Sequence, residues 1–409
     1  MIAISLLNLS PPAPFRGILF SLTSLDPYLL PPSPTFRYYP HFCMNLSNLL
    51  QPESIQVLLE CTPALKENLN MPCNESAPLY IAALEGHTEV VNQLMKYLPP
   101  NGNLNIDVHL NNESKSTPLL AACEGGFHEI VKTLIDNQAN INYKEVDTGL
   151  SGLLIASQFN NVEVIRELLK YNHLNVYDTS LDLCTALYIA AENNSEECID
   201  LLLDFNPPAS WVNAQNQKGR TPLFISCSYG FIDVAKALIE KNANVNLPDK
   251  KGVTPLFIAA QQNFPDVCEL LLTAHADPNI GRGEEGATPL HIAAALNHIE
   301  SLAVLIKHAP DINIVNEDGV TPLFSACEEN QLEAIQMLLN AGANANQLAN
   351  DGTSPLLVAC EESVPDCVVS LLLSYDADPL YRTEEGASPY DFKANYASMS
   401  SIFQSMSFD

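Results

Sequence analysis

The 409-residue chain sets 48 Asp and Glu against 19 Lys and Arg, a formal charge of −29. That balance argues against a nucleic-acid or anionic-membrane surface and favours solubility or a basic partner. Eleven cysteines without a single Cys-x-x-Cys pair give zinc-ribbon and thioredoxin-like chemistry no support and suit a reducing compartment.

Residues 1–43 contain only Arg16, Asp26 and Arg37 as charges, together with eight prolines. No basic stretch precedes the apolar Met1–Ser10, as a secretory leader would require. This segment is expected to be disordered, or to lie upstream of a start at Met44. Residues 44–73 form a degenerate capping unit, in which Glu53, Ile55, Leu58 and Leu59 match Glu89, Val91, Leu94 and Met95 of the next unit.

From residue 74 to residue 387 the chain repeats itself. Anchors at Leu79, Leu119, Leu153, Leu187, Leu223, Leu256, Leu290, Leu323, Leu356 and Tyr390 are separated by 40, 34, 34, 36, 33, 34, 33, 33 and 34 residues, the period of a stacked array. The fullest statement is Gly252-Val253-Thr254-Pro255-Leu256-Phe257-Ile258-Ala259-Ala260. Thr caps a helix whose first position takes Pro at no cost in hydrogen bonds. Seven residues after the anchors stand Gly86, Gly126, Asn160, Asn194, Gly230, Asn263, Asn297, Asn330 and Ser363, mostly residues that tolerate the left-handed turn ending a helix.

A second helix is announced at anchor plus ten by Glu89, Glu129, Glu163, Glu197, Asp233, Asp266, Glu300, Glu333 and Asp366. A carboxylate in the same place in every unit answers the positive end of the helix dipole better than it makes a row of metal ligands. Leu94, Leu134, Leu168, Leu202, Leu238, Leu271, Leu305, Leu338 and Leu371 follow at anchor plus fifteen, on an apolar face that needs a neighbouring unit to bury it. Cys123, Cys227, Cys327 and Cys360 occupy a slot that other units fill with Ala or Ser, so they are packing residues.

This pattern resembles the ankyrin repeat: Gly286-Ala287-Thr288-Pro289-Leu290-His291-Ile292-Ala293-Ala294 and Gly342-Ala343-Asn344-Ala345-Asn346 are its fullest matches, and the resemblance covers about residues 74–395. It implies an all-α solenoid of about ten helix-turn-helix units with short β-turn tips and atypical capping units. Most units depart from the family in replacing the motif His by Tyr80, Tyr188, Phe224, Phe257 or Phe324, or by Leu. His291, which keeps it, is implied to be a structural hydrogen-bonding residue. Longer loops at 99–116 and 207–216 leave contact and tolerated insertion both open, and the lone Trp211 is expected to pack beneath the second. Residues 388–409 close the array as a capping unit, with Asp391 and Lys393 where other units are apolar or small.

No phosphate loop, nucleophile elbow or His-Glu-x-x-His occurs. The Gly281–Gly286 stretch places acids where a phosphate would sit. The chain is therefore expected to be a non-enzymatic scaffold or adaptor without cofactor or metal, monomeric and cytoplasmic with the nucleus open. The alternative is a targeting subunit or effector whose array delivers an activity carried elsewhere.

The resemblance places binding on a concave face of turn tips and first-helix ends, five and six residues after each anchor. In this chain those positions vary while the framework does not. They include Tyr229, Gln261, Gln262, Glu328, Glu329, Glu361 and Glu362, beside tip residues Arg220, Lys250 and Lys251. Four carboxylates on two adjacent units suit a basic peptide or helix.

Overall fold

The computed structural model describes residues 78–96, 106–108, 115–205, 207–308 and 311–406. Residues 1–43, the unit expected at 44–73 and most of the loop at 99–116 lie outside them. Two compact units divide between Leu181 and Asp182. Among the described residues there are helices and two isolated bridges, Lys144 with Ser151 and Arg282 with Ala287, and no strand.

Among the described residues of the first unit there are three helix pairs: Pro78–Leu84 with Thr88–Lys96, Pro118–Glu124 with His128–Asp136, and Gly152–Gln158 with Val162–Leu168. The second begins at Ala186–Glu192 with Glu196–Asp204 and repeats the pair five more times, ending with Pro355–Glu361 and Asp366–Ser374. Inside each unit the short first helices pack on one another in order, and so do the second helices.

From Pro118–Glu124 onward, each first helix is entered through a buried hydroxyl. The side chains of Thr117, Thr185, Thr221, Thr254, Thr321 and Ser354 accept from the N–H three residues on at 3.0–3.4 Å, satisfying a donor the helix cannot. Each helix pair turns through a residue of positive φ, from 54° at Asn194 to 77° at Gly126, and Ser363 adopts φ 57° in the same role. Every second helix has an acid in its first turn. The anchor leucines are buried, as are the leucines at anchor plus fifteen in all but the last of these units.

In that last unit the expectation for Leu371 fails: Leu371 is half-buried and Leu372 takes the core position. Pro365 stands outside the helix at φ −59° and ψ 148°, so the helix starts at Asp366 and its apolar face is advanced by one residue. In Pro265–Thr273, by contrast, Pro is the first helical residue. Asp366 also has a second task, because its carboxylate accepts from the Ser398 N–H and hydroxyl at 3.0 and 2.7 Å. This ties the final helix, Ala397–Met406, to the array.

His291 completes a capping box. Its Nδ1 faces the Thr288 N–H and hydroxyl at 3.1 and 2.8 Å, and Nε2 meets the Val320 carbonyl of the following tip at 2.9 Å. Nε2 therefore carries the proton. Burial holds the ring's pKa below the ordinary histidine value, against the opposing pull of that carbonyl. The 207–216 loop folds as a short helix, Ala209–Val212, with Trp211 only 5% exposed. Ser388 and Asp391 form another capping box at the start of the 3-10 helix Pro389–Asn395, which gives Asp391 its reason for interrupting the apolar pattern.

Candidate partner-binding face

Where a first helix ends, its last side chain and its cap residue leave the stack together, because the next residue turns left-handed. Tyr229, Gln261, Glu328 and Glu361 are last helical residues, and Gln262, Glu329 and Glu362 are caps. Tyr229 is 51% exposed, with its ring stacked on Phe231 at 5.6 Å between centroids. Gln261 is half-buried, whereas Gln262 and the four glutamates are exposed.

The tips are built differently. Asp249 is buried and accepts from the N–H groups of Lys251 and Val253 at 2.8 and 3.0 Å, closing the turn. Lys250 and Lys251 extend from it and are exposed. Arg220 also has contacts within the array: Nε lies 3.8 Å from the Asp249 carboxylate and the guanidinium lies 5.2 Å from the Phe224 ring centre. It joins one tip to the next, and only part of it faces out.

The glutamates sit in an unfavourable place. Both of their helices end without a basic residue in the last turn, so the carboxylates face the negative end of the helix dipole. None of the four takes part in an ion pair among the described residues. Partial burial raises the pKa of Glu328, and the charges of Glu329 and Glu362 raise it further. Partial burial also raises that of Glu361, followed by Asp351 and Glu362. The fold thus gathers these carboxylates into one electrostatic group.

A folded-state pKa above the unfolded value means that the folded chain holds more protons in the window between them. Stability therefore falls as pH rises through that window. Replacing Glu328 and Glu361 together by Gln is expected to stabilise the protein at pH 7, by roughly 0.3–1 kcal/mol per carboxylate removed from a helix C-terminus. The advantage closes once the pH falls below the ordinary carboxylate range. Urea unfolding of both proteins at several pH values measures it, and equal stability at pH 7 would refute the strain.

One exposed residue of this row escapes a reading by charge. Leu296, the cap of Pro289–Ala295, is 43% exposed and sits six residues after Leu290, the register that carries Tyr229 and Gln262. The repeat period alone would have found it. Among the described residues no group of three His, Cys, Asp or Glu side chains could hold a metal ion, and no helix is long and apolar enough to cross a membrane. Burial pushes the Cys123, Cys227 and Cys327 thiols well above their usual range and that of Cys360 up to about 12, which removes them as nucleophiles.

A family model described as ankyrin repeats (3 copies) matches residues 42–145, 143–210, 208–282 and 256–349. Over 200 residues the chain is 32% identical to the putative ankyrin repeat protein FPV031 of fowlpox virus, covering 47% of this chain and 48% of that one. It is 36% identical over 112 residues to the ankyrin repeat and KH domain-containing protein mask of Drosophila melanogaster, covering 27% of this chain and 3% of that one. Over 195 residues it is 27% identical to the E3 ubiquitin-protein ligase XBAT33 of Arabidopsis thaliana, covering 47% of this chain and 34% of that one. The matched stretch is less than half the length of each of these relatives.

Proposed function

The chain belongs to the ankyrin repeat family, and from that premise we propose that it is a non-enzymatic scaffold or adaptor that binds a protein with a basic segment through the face of tips and first-helix ends. A protein-interaction array is what the repeats themselves indicate. The observation that supports a basic partner is the group of Glu328, Glu329, Glu361 and Glu362, exposed at helix ends where their charge costs stability. Carboxylates so placed gain most from a cation brought by another molecule, and a preformed surface has little to order on binding. Lys250 and Lys251 belong to the same face, and a cytoplasmic or nuclear location to the same reading.

Affinity purification with mass spectrometry tests it, comparing the natural chain with a variant in which all four glutamates are Lys. Captured proteins that carry Lys- and Arg-rich segments are expected to fall at least tenfold, and to fall in the natural protein as salt is raised. Circular dichroism should be unchanged. Undiminished capture of the same proteins would sink the acidic-face reading.

A second reading has its own support. The matched stretch covers 34% of the relative named as a ubiquitin ligase and 14% of one named as a glycerophosphocholine phosphodiesterase, so such an array also occurs inside longer, enzyme-named proteins. Full-length transcript sequencing would favour a targeting role if this reading frame continued in frame into a catalytic domain.

A further inference from the structure

After a first repeat whose first helix ends at the exposed Glu192, charge on the second unit is ordered along the stack from Lys218 to Glu362. The tips bearing Lys218, Lys250 and Lys251 precede the first helices that end at Tyr229 and Gln262. Those bearing Glu285, Glu317, Asp318 and Asp351 precede the helices that end at Leu296, Glu329 and Glu362. Neighbouring tips are joined through backbone: the Lys250 N–H donates to the Lys218 carbonyl at 3.0 Å, that of Glu317 to Glu285 at 3.1 Å, and that of Asn350 to Asp318 at 2.8 Å. The line therefore runs tip to tip, and its sign changes between Arg282 and Glu284.

The helix ends follow a matching order. Tyr229, Gln262 and Leu296 are uncharged, with the first and third offering large exposed apolar surface, and the glutamates come next. The two lines flank the same short first helices, the tips at their N-terminal ends and this row at their C-terminal ends. Two separate sets of residues thus change character at the same place in the stack.

We propose that this face holds one polypeptide segment in a single orientation, with apolar side chains on Tyr229 and Leu296 and Lys or Arg side chains at the Glu328–Glu362 end. The proposal rests on the acidic-face reading above and adds direction to it. Turned end for end, the segment would bring its cations against Lys250 and Lys251 and its apolar groups onto carboxylates, a like-charge and desolvation penalty that enforces polarity. Packed helices stand about 10 Å apart. At about 3.1–3.4 Å per extended residue, about three partner residues then pass each repeat, and about fifteen cover the five repeats from Tyr229 to Glu362. The two apolar side chains fall about six residues apart, and the first cation about three residues beyond the second.

Selection of a random 16-residue peptide library displayed on phage against the full chain tests this. Enriched peptides are expected to place Lys or Arg in one half and large apolar residues in the other. Synthesised with their residue order reversed, they should bind at least tenfold more weakly. Replacing Tyr229 and Leu296 together by Ala should weaken the original peptides by at least tenfold, with circular dichroism unchanged. Peptides that are basic throughout, indifferent to reversal or to the Tyr229→Ala and Leu296→Ala pair, yet lost with the four-Lys variant, would overturn the direction and leave the acidic face standing. If no enriched peptide is sensitive to either set of substitutions, both readings fall.

Discussion

Phe257→Ala is expected to destabilise the second unit by about 3–5 kcal/mol. Phe257 is almost fully buried in a cluster with Phe224 and Val253, against which Ile258 and Ile292 also pack. Those residues come from three successive repeats, so the cavity would open at two interfaces together. In a repeat array stability is close to a sum of unit and nearest-neighbour terms, so weakening two adjacent interfaces also weakens the coupling between the helices on either side. Guanidinium unfolding followed by circular dichroism should show an earlier and broader transition. Phe257→Leu, which retains much of the apolar volume, should lose under about 1.5 kcal/mol. A loss below about 1 kcal/mol for Phe257→Ala would show that the cluster collapses around the missing ring.

Gly252→Ala is expected to cost about 2–4 kcal/mol, of which roughly 1–2 is the left-handed backbone itself. Gly252 has φ +77°, and a Cβ there would lie 2.4 Å from the Gly283 nitrogen and 2.9 Å from its Cα. Both neighbours are backbone atoms of the following tip, which cannot rotate aside as a side chain can. The tip would have to shift, straining the bond from the Gly252 N–H to the Asp249 carbonyl. Gly342→Ala supplies the control, because Gly342 has φ +92° and nothing within 4 Å of its would-be Cβ. Its cost should be the backbone strain alone. Equal losses at the two sites, read from denaturant midpoints, would show that contact between tips contributes nothing.

Much of this architecture is written in short-range terms. A Thr or Ser cap, Pro at the first helical position, a turn residue with positive φ and an acid at the next helix start each depend on only a few neighbouring residues. Ten recurrences then remove the ambiguity of any one. Of what escaped that reading, one feature depends on a partner about thirty residues away and two on local exceptions to the pattern. Arg220 belongs to a tip by sequence, but its closeness to Asp249 of the next tip depends on the stacking of two repeats. Leu371 yielded its core position because Pro365 stayed outside its helix. Asp391 interrupts the apolar pattern because it caps the Ser388 N–H at the start of its 3-10 helix. The exposure of the Tyr229-to-Glu362 row was legible because a register that never repeats its residue types is a register the core does not use. Its gathered charge was not, since the raised pKa of Glu328 and Glu361 follows from burial and then from neighbouring carboxylates, of which Glu362 reaches Glu328 from the next repeat.

The small slot that admits cysteine has a consequence for watching this molecule come apart. Among the described residues Cys123, Cys198, Cys227, Cys268, Cys327 and Cys360 are buried, Cys184 is partly exposed and Cys367 is exposed. A thiol-alkylating reagent should therefore consume Cys367 and Cys184 at once and reach the other six only when the repeat holding each one opens. Their order of labelling, read by peptide mass, is a built-in chronometer of local opening along each unit, with no probe introduced.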